Sequence, residues 1–249
     1  MPAPATQTTP PLVLSCEHAT SEVPPAYRDR FAGADDILRS HRGWDPGAYD
    51  AALAFRDRFR APLIAGEATR LLVELNRSLD HARLWSEFTG GLTWVEKERI
   101  LRRYYRPYRA QIADALRAAL AEHPCVLHLS VHSLTPDLDG NRRDHEIALL
   151  FDPARPRETA LCEAWAAALG RRNDPPRIVF NEPYKGSDDG LTTALRTRFP
   201  ADRYLGVEIE FNQRDVAGPP AAWRRIVRRS VETLEEALAQ TAAAPRAAR

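Results

Sequence analysis

The stretch CVLHLSVHSLTP (Cys125–Pro136) decides how this chain is read. Its first nine residues are apolar or small except for two histidines, and Pro136 ends the run. A run of that kind is buried on both faces, as in a parallel sheet covered by helices. In an extended strand His128 and His132 share a face. His132 stands where the chain leaves the sheet, and strand tips are where open α/β sheets gather their functional side chains. His128, inside the run, is expected to be a satisfied structural histidine.

Working outward, similar short apolar runs recur along the chain. They are PLVLSC (11–16), APLIAG (61–66), RLLVEL (70–75), EIALLF (146–151), RIVF (177–180) and YLGVEIEF (204–211). Helical patterns separate them, at 45–59, 93–123, 157–170, 190–199 and 221–240. Pro46 suits a first helical turn, Pro107 should kink or break the 93–123 helix, and Gly170 offers a helix end. Strands alternating with helices predict an α/β fold, a three-layer sandwich with a mostly parallel mixed sheet between helices. The close runs at 61–75 predict a hairpin or an irregular strand pair. Without a long linker or repeat, one domain over 11–240 is expected, with flexible tails at 1–10 and 241–249.

The bulk properties exclude several classes. With 35 Lys+Arg against 34 Asp+Glu, the net charge of +1 gives no broad reason to bind nucleic acid or an anionic membrane. RRYYRPYR (102–109) alternates aromatic and basic residues, but Tyr104 and Tyr108 share a helical face and read as core. Cys16, Cys125 and Cys162 form neither a C-x-x-C pair nor a disulfide framework, so a reducing compartment is expected. The N-terminus lacks the pattern of a signal peptide, and no apolar run is long enough to span a bilayer. The expectation is a cytoplasmic protein acting on a small molecule, without nucleic acid or membrane, as a monomer or small homo-oligomer.

Polar groups recur at the strand tips. Glu17 and His18 follow the first strand, Asn76 and Arg77 follow RLLVEL, and His132, Ser133 and Thr135 follow the central one. The last strand carries Glu208, Glu210 and Asn212, and SHRGWDPGAYD brings His41 and Asp45 just before a helix. Two histidines and a carboxylate are the minimal catalytic zinc set, and a further carboxylate could move the proton of the attacking water. A polar network at the strand ends explains the same residues. Glu210 is hardest to dismiss, because a buried carboxylate without a partner is costly.

Several stretches together resemble the N-formylglutamate amidohydrolase family. They are LVLSCEHATSEVP, SHRGWDPGAYDAALAF, TRLLVELNRSLD, RRYYRPYR, LHLSVHSLTPDLDGNRRDHEIALLFD, NEPYKGSDDGLTTALR and GVEIEFNQ, in family order over roughly residues 12–213. The resemblance implies a phosphorylase/hydrolase-like, zinc exopeptidase-like architecture and one Zn2+ per chain. It implies His18, Asp45 and His132 as metal ligands, with Glu17 and His41 competing with Asp45, and Glu210 as general base. Glu208 is then a salt-bridge partner or a rival base. The implied reaction is hydrolysis of N-formylglutamate to formate and glutamate, within histidine catabolism. Alternatives are another acyl amino acid, a peptide or a cell-wall amide, or a binding protein on the same scaffold.

N-formylglutamate carries two carboxylates, and arginine recognises a carboxylate through a planar fork. Arg77, Arg142 and Arg143 are the candidates for that role, with Asn76 and Ser133 beside them. Tyr184, in NEPYKGSDDG, offers a hydroxyl to the substrate or a developing oxyanion.

Overall fold

The computed structural model describes residues 9–243. Strand β1 (Leu12–Cys16) leads through a 3-10 segment (Pro25–Phe31) and α1 (Asp35–Arg39) into α2 (Ala48–Phe59) and β2 (Leu63–Ala65). Then follow α3 (Trp94–Ile100), a π-helical turn (Leu101–Tyr105), α4 (Arg106–Glu122) and β3 (Val126–Leu134). A small hairpin, β4 (Asp137–Leu138) and β5 (Asn141–Arg142), precedes β6 (Ile147–Leu150), α5 (Pro156–Gly170) and β7 (Ile178–Phe180). The chain closes with α6 (Leu191–Arg196), β8 (Tyr204–Asn212), α7 (Gln213–Ala217) and α8 (Pro220–Ala243).

The six-stranded sheet has the order β2-β1-β3-β8-β6-β7. β2, β1, β3 and β8 are parallel, whereas β6 runs against β8 and pairs in parallel with β7. The C-terminal ends of β1, β3 and β8 therefore share one edge of the sheet. The reversal of β6 brings the segment before it to that same edge, opposite the end of β8.

Period-two alternation sorts the side chains into two cores. Leu12, Leu14, Leu127, Leu129, Val131, Val207, Ile209 and Phe211 pack with α2, α5 and α8. Trp165 of α5 is fully buried there, edge-on to Phe55 of α2, with its indole N–H donated to the Ser230 carbonyl of α8. On the other face Val13, Val126 and Tyr204 pack under α4 and α6, with Tyr108 buried as its helical spacing predicts. This second core is apolar only toward the start of the strands. Toward their ends it gives way to buried Ser15, Glu17, Ser130, His132, Glu208 and Glu210.

Four local expectations change. RLLVEL (70–75) is not a strand but a series of turns: Leu71, Leu72, Val73 and Leu75 are buried in the second core without joining the sheet, and the Glu74 N–H bonds the Leu84 carbonyl. Pro107 does not break its helix, because the π-helical turn just before it accommodates the missing donor. Gly170 ends α5 without a left-handed cap, for the Arg171 cap residue remains right-handed. Helix α8 continues to Ala243, beyond the expected boundary at 240, and the outer parts of both expected tails lie outside the described residues.

Candidate active site

β1 is followed by His18, β3 carries His132 near its end, and α2 is preceded by Asp45, whose backbone N–H bonds the His18 carbonyl at 3.0 Å. Nδ1 of His18 and Nδ1 of His132 converge on one atom, Asp45 Oδ2, at 3.1 and 2.9 Å. The far side of each ring is equally occupied. Nε2 of His18 lies 2.5 Å from Glu74 Oε1, and Nε2 of His132 lies 3.1 Å from Glu17 Oε2 and 2.8 Å from the Ser130 hydroxyl. A carboxylate behind an imidazole holds the proton on Nε2 and leaves Nδ1 as the ligating atom.

Charge gives a second test of fit. Four buried carboxylates, Glu17, Asp45, Glu74 and Glu208, stand beside the two rings, and one guanidinium, Arg70, bridges Glu74 and Asp45. This excess of negative charge suits a bound cation. His18, Asp45 and His132 can present ligand atoms within 4.8 Å of one another, all buried. The donor set of two imidazoles and one carboxylate fits zinc.

The titration behaviour follows from this packing. Burial pushes the Asp45 carboxyl up, but the His18 charge and the hydrogen bond with His132 hold it well below the usual range. Burial acts likewise on Glu17 and Glu74 and is reversed by His132 for the former and by Arg70 and His18 for the latter. His132 is pushed down by burial and carried well above its ordinary value by Asp45 and Glu17. His18 is raised too: burial and Arg70 lower it, and Glu74 and Asp45 outweigh them. Glu210 behaves differently. Burial, with the charges of Asp45 and Glu208, outweighs the two histidines and pushes it up to about 7.

A cleft of about 840 Å³, open to solvent, lies over this cluster. His18, Asp45, His132 and Glu210 line it, together with Arg77, Arg143, Asn76, Ser133 and Tyr184. Parallel pairing sets His132 beside Glu210 and Ser130 beside Glu208. The model of the N-formylglutamate amidohydrolase family matches residues 10–216. The chain belongs to that family. Membership makes it an amidohydrolase acting on a small-molecule substrate. A gene product from Agrobacterium tumefaciens is similar in structure, with a TM-score of 0.80 at 26% identity, over 92% of this chain and 90% of the other. The N-formylglutamate amidohydrolase from Ralstonia eutropha shares the fold, with a TM-score of 0.67 at 20% identity, over 92% of this chain and 93% of the other. No curated protein matches the chain.

The amidohydrolase fold separates the sequence candidates. Glu17, just after β1, stands behind His132 rather than in the ligand cluster, its carboxylate accepting the Ser130 hydroxyl and facing His132 Nε2. His41 lines the cleft but stays outside the cluster, and burial with Arg70, Arg143 and Arg42 around it lowers its pKa. Glu208 accepts the Thr192 hydroxyl at 2.5 Å and lies 3.9 Å from His132 Nε2. Arg142, at the end of β5, turns to solvent and pairs with Asp144 at 2.8 Å, outside the lining of the cleft. Asn76 lines the cleft while its Oδ1 caps the first turn of α6 through the Leu191 N–H, and Ser133 donates its hydroxyl to the Pro46 carbonyl. Sequence reasoning missed Arg70 and Glu74. The only signal was their i,i+4 spacing of opposite charges, which reads as an ordinary surface pair. His128 is the expected core histidine, bonded to Tyr204 Oη and Ser15 Oγ and lowered by burial to about 4. Among the described residues no helix is long and apolar enough to cross a membrane.

Proposed function

We propose that the chain is a zinc-dependent deformylase that hydrolyses the amide of N-formylglutamate, giving formate and glutamate. The observation that carries the reading is the convergence of two Nδ1 atoms and Asp45 Oδ2 beneath a cleft, with a carboxylate behind each ring. His18, His132 and Asp45 would hold the cation, which when bound supplies a Lewis acid for the amide carbonyl and lowers the pKa of water from about 15.7 to about 7.

The rest is work for the chain's own groups. Glu17 and Glu74 keep the imidazoles in the ligating tautomer. Glu210, without a hydrogen-bond partner among the described residues and raised to about 7, takes a proton from the attacking water. As the C–N bond breaks it returns that proton to the departing amine nitrogen, so the carboxylate is regenerated each turn. Arg77 and Arg143 line the cleft and make no ion pair among the described residues, which suits a substrate with two carboxylates. Three free buried cysteines support work in the cytoplasm.

The test is metal content of protein purified without chelator, run beside hydrolysis of N-formylglutamate. About one zinc per chain with turnover lost on chelation is expected. Protein that neither carries zinc nor recruits it, or that hydrolyses no acyl amino acid, overturns the reading.

A further inference from the structure

We infer that Asn212 is a positioning residue that holds the Arg143 guanidinium over the cleft, so that recognition of a substrate carboxylate depends on Asn212 as much as on Arg143. The inference rests on the acyl amino acid reading above and adds the element that sets its selectivity.

Asn212 ends β8, two residues after Glu210, and is fully buried. Both hydrogens of its amide are used: Nδ2 donates to the carbonyls of Arg143 at 2.9 Å and His145 at 2.8 Å. Its Oδ1 accepts the Arg214 N–H at 2.9 Å, and its own N–H donates to the Glu146 carbonyl at 3.0 Å. Every polar group of this side chain therefore pins residues 143–146 or the start of α7. An aspartate there cannot donate, and would set a carboxylate against two carbonyls.

The segment it pins carries the charge. Arg143 is 8% exposed, lines the cleft and has no carboxylate partner among the described residues. Its donors go to the Thr135 carbonyl and the Tyr184 hydroxyl, each at 3.3 Å, and its guanidinium lies 5.4 Å from the centre of the Tyr184 ring. Stacking on Tyr184 orients the planar fork while leaving its charge unneutralised. By contrast Arg70 is neutralised by Glu74 and Asp45. The distance between Glu210 and Arg143 is thus set across one residue, and a ligand that reaches both is measured by it.

The experiment is titration calorimetry of zinc-loaded protein, all chains carrying Glu210→Gln so that no ligand is consumed, with N-formylglutamate and with its uncharged diamide. The chain that is wild-type at 143 and 212 should bind the diacid at least about tenfold more tightly, the loss expected when a charged hydrogen bond is removed. Asn212→Ala and Arg143→Met should each lower that ratio several-fold, to what Arg77 alone supports, with zinc content unchanged. The double variant should lose no more than either single one, because the two act through the same contact. Asn212→Ser, which keeps one donor, should restore part of the ratio and covers the case in which the alanine variant does not fold. An Asn212 variant that keeps the wild-type ratio, losses that add in the double variant, or a wild-type chain without preference for the diacid, overturns the inference. Preference for the diacid, without hydrolysis by the chain that keeps Glu210, would defeat the deformylase reading and leave this one standing.

Discussion

Replacing Glu210 by glutamine should remove turnover and stabilise the metal-free protein in alkaline solution. Glu210 is 8% exposed and its pKa rises from 4.5 in the unfolded chain to about 7 in the fold. The folded state therefore binds more protons between those values, and stability falls as pH rises through the window. At 1.36 kcal/mol per tenfold change, the full effect is about 3 kcal/mol above pH 7 and under about 1 kcal/mol at pH 5. Glutamine keeps the shape and cannot ionise, so the variant avoids that cost. Its melting temperature should exceed the wild-type value at pH 8 by roughly 8 °C, at about 2–4 °C per kcal/mol for a chain of this size, and the gap should close toward pH 5. Thermal melts of both chelated proteins across pH 5–8 measure this. The loss of turnover should be about 10²- to 10⁴-fold with zinc content unchanged. A stability difference independent of pH would refute the assignment of a destabilised carboxylate, and full activity in the variant would refute its role as base.

His132→Ala should abolish both bound zinc and activity, read by metal analysis of the purified variant. Glu74→Gln should keep the ring contact but remove the charge behind His18, weakening zinc binding by roughly 10- to 100-fold in a chelator competition. Because the neighbouring carboxylates raise both imidazoles in the metal-free chain, zinc competes with protons for them. Zinc affinity should therefore fall as pH falls, with up to about two protons released per ion when the heats are compared in buffers of different ionisation enthalpy. Trp165→Ala should cost about 3–5 kcal/mol in denaturant unfolding, since it empties the junction of α2, α5 and α8.

The strands that build the sheet were legible because their apolar runs are short, continuous and bounded by turn residues, and the parallel class followed from the helices between them. RLLVEL misled for a physical reason: its leucines are buried as a strand's would be, but they fill the second core from a series of turns. Periodicity reports burial, not pairing. At the site, His18, His132 and Glu210 announced themselves as titratable groups in apolar surroundings. Asp45 was visible as a carboxylate just before a helix, but its role as a ligand came only from the family resemblance, since SHRGWDPGAYD has no strand to point along. Arg70 and Glu74 gave no warning beyond their spacing, because what matters is the contact of Glu74 with His18 across 56 residues of chain and the ion pair of Arg70 with Asp45. The same holds for Asn212, whose Nδ2 partners precede EIALLF, a strand the sequence shows but whose antiparallel direction it does not.

The reversal of β6 has a consequence for how such an enzyme can change. In the proposed mechanism the groups that handle the bond to be cut sit at the ends of β1, β3 and β8, all running one way. The groups proposed to grip the remainder of the ligand arrive from the opposite direction, on the approach to β6 and in the turn after β7. An insertion or exchange in the β4–β5 hairpin would thus redraw what is accepted while leaving what is done to it untouched. The two properties are inherited through different stretches of chain, so a lineage could drift in appetite while keeping its chemistry.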